Sequence, residues 1–106
     1  MKIAHIHKLL NRVTAELFGI KFNIGVYFDK QYGTGHERRV YLQVYYDAPC
    51  TKTGEIQEWR GRKWYLSSHM TDDEVIKTAY VAFEAAVKHE IMENLKRMEL
   101  FYSILM

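Results

Sequence analysis

The chain has one cysteine and one proline in 106 residues, and no uninterrupted apolar run longer than a few residues. Each shortage excludes something. Cys50, alone, has no partner for an internal disulfide or a zinc site, which fits a reducing compartment. With no long apolar run and no basic-then-apolar leader, neither a membrane span nor a secretory signal is expected, and the cytoplasm is the expected location. Repeats, linkers and low-complexity tracts are absent too, and a composition 48% hydrophobic and 26% charged excludes a disordered chain. One domain, residues 1–106, is the expectation at this length. A catalytic or cofactor motif of high specificity is also missing.

Charge of one sign is in short supply overall, since the net is only +2, but its distribution is uneven. Residues 30–66 hold seven Lys/Arg against four Asp/Glu, whereas residues 67–106 hold four against seven. A basic middle and an acidic end either guide a phosphate-bearing partner or make two copies attract one another.

What is present is strong periodicity. Ile3, Ile6, Leu10, Val13 and Leu17 recur at three- and four-residue steps, which predicts a helix over 2–18 with Gly19 as its left-handed stop. From Lys21 the period drops to two. Phe22, Ile24, Val26 and Phe28 alternate with Asn23, Gly25 and Tyr27, and after the glycine-containing stretch 29–37 a second strand runs from Arg38 to Asp47. Pro49 and the turn residues 51–55 lead to a third strand, roughly 56–66.

The best-specified junction follows. Thr71 and Glu74 have the spacing of a capping box, Met70 and Val75 that of a hydrophobic staple, and Asp72 and Asp73 complement the helix dipole. The helix begun there carries Val75, Ile76, Ala79, Ala82, Phe83, Ala86, Val87, Ile91, Leu95 and Met98 at helical spacing. Running from 72 to about 100, it would be roughly 40 Å long at ~1.5 Å per residue and would overhang any small sheet. The expected fold is α+β: a two-layer α-β-β-β-α sandwich, with both helices on one face of a three-stranded antiparallel sheet.

Four stretches invite a functional reading. The strand Trp59 to Leu66 mixes guanidinium and aromatic groups, which suits single-stranded nucleic acid. Simple alternation puts Arg60, Arg62 and Trp64 on one face and Trp59, Lys63 and Tyr65 on the other. In the plainer alternative, the tryptophans anchor the core and the basic chains lie over them. His89 and Glu93 stand one helical turn apart, but an ion pair explains them better than a metal, and His5 and His7 lie on different helix faces. No metal or cofactor is therefore expected. Neither Cys50 nor Ser67-Ser68-His69 has the companions that nucleophilic catalysis needs, so an enzyme is not expected. Residues 99–106 form an apolar tail, and a homodimer contact through Leu95, Met98, Phe101 and Leu105 is expected, with docking of the tail on the exposed sheet face as the plainer alternative.

The stretch Trp59-Arg60-Gly61-Arg62-Lys63-Trp64-Tyr65-Leu66-Ser67-Ser68-His69-Met70-Thr71, with Glu74-Val75, Thr78-Ala79 and His89-Glu90, resembles a pattern in small uncharacterised bacteriophage and prophage proteins. That resemblance implies a mobile-element origin and a host or phage protein as partner, and carries no activity. The order helix, three strands, helix is similar to that of the double-stranded-RNA-binding domain, and Gly33-Thr34-Gly35-His36 before Arg38 and Arg39 resembles that family's G-P-x-H loop, with Thr34 in place of proline. This second likeness implies nucleic-acid contact through His36, Arg38 and Arg39, which would join Arg60, Arg62, Lys63 and Trp64 of the basic aromatic strand. The acidic start of the last helix departs from the family's phosphate-holding lysines.

Overall fold

The computed structural model describes residues 2–17, 21–29, 39–50 and 53–105, with the backbone alone at 100–102 and 104–105. Its elements are α1 (Ile3–Glu16), β1 (Asn23–Asp29), β2 (Arg39–Pro49), β3 (Ile56–Arg60), β4 (Trp64–Tyr65) and α2 (Asp72–Leu105). The fold is α+β, as expected, with an antiparallel sheet and a long second helix.

β2 is the centre of the sheet. It pairs with β1 on one edge, with Tyr27 opposite Tyr41, and with β3 and β4 in succession on the other, with Tyr46 opposite Trp59 and Leu42 opposite Trp64. The predicted third strand is thus two strands with a break. Between the last β3 pair and the first β4 pair, Gln43 and Val44 of β2 face three residues, Gly61, Arg62 and Lys63, so one residue is extra. This is a β-bulge. The Gly61 N–H donates to Val44 O at 2.8 Å, and the Gly61 carbonyl accepts from Gln43 Nε2 at 2.7 Å. A Cβ at position 61 would lie 3.1 Å from the Trp59 ring, so glycine lets the indole close over the bulge.

The bulge corrects the expected faces. An extra residue reverses the alternation, so Trp59 and Trp64, five positions apart, both pack against the core while Arg60 and Tyr65 project from the opposite face. The core lies between sheet and helices: Ile6, Leu9, Leu10 and Val13 of α1, Val26, Leu42, Val44 and Tyr46 of the sheet, and Val75, Ala79, Ala82, Phe83 and Ala86 of α2. Alanine at three of the five α2 positions brings the helix axis close, with Phe83 filling the remaining gap. The two helices start side by side and run in the same direction. His5 Nε2 lies 2.7 Å from Asp72 Oδ1 near their starts, and the Tyr80 hydroxyl donates to Glu16 where α1 ends.

α2 begins where its cap residues place it. The Glu74 N–H donates to Thr71 Oγ1 at 3.2 Å, and the Thr71 hydroxyl donates in turn to the Glu74 carboxylate at 3.2 Å. Met70 and Val75 both pack into the core. At 34 residues the helix is about 50 Å long. Residues 99–105 continue it rather than forming a separate tail. The expected stop at Gly19 lies outside the described residues.

Candidate interaction surfaces

The residues expected to contact nucleic acid divide between two surfaces. Arg39, Arg60 and Lys63 lie on the sheet face turned away from the helices, with side chains over Tyr65, over Tyr27 and Tyr45, and over Tyr41. Arg62 and Trp64 belong to the helix side. The Arg62 guanidinium covers the Trp64 ring at 4.1 Å, which is the plainer arrangement of a core-anchoring indole under a basic chain. His36 and Arg38 lie outside the described residues.

On the face without helices, cross-strand register builds rows. Tyr27 of β1, Tyr41 of β2 and Tyr65 of β4 stand directly opposite one another, their neighbouring rings 5.6 Å apart. Asp29 and Arg39 form the row beside it, and Tyr45 with Arg60 a further one. Asp29 ties the edges together by accepting from Lys63 Nζ at 2.8 Å and from the Tyr65 hydroxyl at 2.7 Å. Those two hydrogen bonds, Lys63's first, hold the Asp29 carboxyl below the ordinary carboxylate range, and Asp29 raises both Lys63 and Tyr65. Beyond Tyr45 the face turns acidic, with Asp47 opposite Glu58, and Glu58 pairs with Arg60 at 2.6 Å. The tyrosine row could have been found in the sequence only by fixing the β1–β2 register. The connecting stretch 30–38, whose length leaves that register open, hid it.

The second surface is the outer half of α2. The side that buries Val75, Ala79, Ala82 and Ala86 continues around the helix as Glu90, Glu93 and Arg97. These polar residues meet the end of the domain: Lys21 Nζ is 2.7 Å from Glu90, and Arg97 Nη2 donates to Pro49 O at 3.3 Å. Burial raises the nearby Tyr46 hydroxyl, and the Glu90 carboxylate adds to it. The apolar stripe has therefore moved around the helix. Val87, Ile91, Leu95 and Met98, at steps of four, four and three, are between 38% and 53% exposed. The expected pair Leu95 and Met98 is in this stripe, whereas the side chains of Phe101 and Leu105 lie outside the described residues. Val87 and Ile91 belong to it as well. Their helical spacing from Phe83 made them look like core, and only the position of the sheet's end separates the two roles.

A third feature is a cleft of about 180 Å³ between the two tryptophans and Ala82, Ala85 and Ala86. His89 closes one end, stacked on Trp59 with ring centroids 4.5 Å apart. This stacking sets the histidine against an indole. Its Nε2 is 3.9 Å from Glu93, whose carboxylate also meets Lys96, and among the described residues no group of three metal-ligating side chains occurs. Likewise the Ser67 hydroxyl accepts the His69 backbone N–H at 3.2 Å, a turn contact rather than a nucleophile–base pair.

Comparison with known protein families, characterised proteins and solved structures finds no match to this chain. Among the described residues, no helix is long and apolar enough to cross a membrane.

Proposed function

We propose that this protein is a non-catalytic interaction module of the cytoplasm that pairs with a second copy of itself through the outer half of α2. One observation carries the reading. Where α2 leaves the sheet, its domain-facing side becomes polar and its apolar side, Val87, Ile91, Leu95 and Met98, turns to solvent. A stripe left over from core packing would continue toward the domain. This one points away, at the three- and four-residue spacing by which helices pack on each other. The Glu84–Lys88 pair on the adjoining turn, at 2.7 Å, marks a charged border beside it. The Trp59–Thr71 pattern supports a phage or prophage setting, in which the paired module engages a host or phage protein.

The test is sedimentation equilibrium of the purified chain beside Ile91→Glu and Leu95→Glu. The wild type is expected at twice 12.6 kDa and each variant at the single-chain mass, with unchanged circular dichroism. A wild type that stays at the single-chain mass up to about 100 μM would sink the reading, since that places any dimer weaker than ~5.5 kcal/mol.

A further inference from the structure

A sheet face that no helix covers is ordinarily polar, with hydrophobic and polar residues alternating across the strand. Here that face presents four of the chain's eight tyrosines, Tyr27, Tyr41, Tyr45 and Tyr65. Three of them form a single row across three strands. Nothing in helix self-association uses this row, because α1 and α2 both lie on the other side of the sheet.

We infer that the tyrosine row is a platform for single-stranded nucleic acid, with bases stacking on Tyr27 and on the Arg39–Tyr65 pair and the adjoining phosphate held by Arg39, while Arg60 stays paired with Glu58. Three arrangements support it. First, the Tyr27 ring lies flat along the sheet over Gly25: a Cβ there would fall 2.5 Å from the Tyr27 hydroxyl and 2.7 Å from its Cζ. A flat ring offers its π face outward, as a stacked base requires. Second, the Arg39 guanidinium covers the Tyr65 ring at 4.0 Å, and among the described residues no carboxylate lies within ion-pair distance of it. A guanidinium plane backed by an aromatic ring can stack a base and face a phosphate at once. Third, the charge is graded along the face. Among the described residues, the one carboxylate at the row's edge, Asp29, is engaged by Lys63 and Tyr65, whereas the acidic pair Asp47 and Glu58 lies beyond Tyr45.

This gradient sets the footprint. A strand runs over the tyrosine row and stops before the acidic end, so about one phosphate is neutralised and log K falls by roughly 0.7 per tenfold rise in salt. Duplexes are disfavoured because paired bases cannot reach a ring lying on a flat sheet. Arg62, on the opposite surface over Trp64, takes no part.

Fluorescence anisotropy of labelled 12-nucleotide poly-dT and poly-U, their duplexes with poly-dA and poly-A, and labelled polyglutamate, each at low and moderate salt, tests the platform. Binding to either single strand, with a shallow salt slope, a weaker response to duplex and none to polyglutamate, is expected. The DNA-to-RNA ratio then identifies the sugar. Arg39→Ala and Tyr27→Leu are each expected to weaken binding about tenfold or more, and Arg62→Ala to leave it unchanged. Arg39 is exposed, so its variant keeps the test decisive should Tyr27→Leu unfold. Absence of binding at low salt, polyglutamate bound as well as the oligonucleotides, or loss in Arg62→Ala with retention in Arg39→Ala would each overturn the proposal.

Discussion

The two faces of the sheet are built from the same three long stretches of chain, and both are aromatic, yet they behave differently. Toward the helices, Val26, Leu42, Val44 and Tyr46 are buried, with Trp59 and Trp64 packed against them. Away from the helices, Tyr27, Tyr41, Tyr45 and Tyr65 remain partly open, each with a cation over its ring. Aromatic content therefore does not mark the inside of this protein. Branched aliphatics mark the centre of the buried face, which charged chains meet only at its margins, over Tyr46 and Trp64, whereas every tyrosine of the open face lies under an arginine or lysine. The first face takes its stability from removal of apolar area, the second from contacts that leave its groups in water.

The sharpest way to break this comparison is to truncate paired neighbours on β2. Leu42 is fully buried, so Leu42→Ala is expected to cost about 2–5 kcal/mol in urea unfolding. Tyr41, one residue away on the open face, loses cross-strand ring contacts and the Lys63 ammonium over its ring on conversion to alanine, and a change of about 1 kcal/mol is expected. Equal costs at the two positions would mean that the open face is covered in solution.

Deleting Arg62 tests whether the bulge or the pairing register keeps the faces distinct. Removing the extra residue leaves the two tryptophans four positions apart, so strict alternation keeps both on the helix side, opposite Tyr46 and Leu42. Unshifted tryptophan emission is expected, with a loss of about 0.5–1 kcal/mol as the Arg62 guanidinium leaves the Trp64 ring. Red-shifted emission would show that the bulge itself, rather than the pairing register, holds the tryptophans in place.

The smallest effect sharpens the open face alone. Asp29 joins β1 to β4 through Lys63 and Tyr65, which hold its carboxyl below its ordinary value of 3.8. A depressed folded value means that the contribution is complete above 3.8 and is lost as the pH falls through the lower folded value. Asp29→Asn should therefore lower the urea midpoint slightly at pH 7, and the gap from wild type should close in strong acid. A gap that widens with acid would reverse the assignment.

Much of the architecture could be read from residue order alone, because local cues agreed with one another. Thr71, Asp72, Asp73 and Glu74 place the start of α2 within a residue, and the alternation in β1 and β2 identifies both strands. What could not be read depends on single-residue registers. Gly61 between two arginines looks like any strand glycine, so the bulge, and with it the true side of Trp64, left no trace in periodicity. The placement of Arg60 with Lys63 and apart from Arg62 follows from that one extra residue. In α2 the apolar positions run on at helical spacing past Ala86, and the turn of the stripe away from the domain is decided by where β2 ends, which lies far away in sequence.

The side-by-side start of α1 and α2 has a consequence for how the chain is made. Ile6, Leu10 and Val13 belong to the same core as Val75, Ala79 and Phe83, residues about two-thirds of the chain further on. On a ribosome, the first helix is complete long before its covering exists. Its apolar stripe must wait, exposed, while the entire sheet is synthesised, and the core closes only once the first four turns of the last helix have emerged.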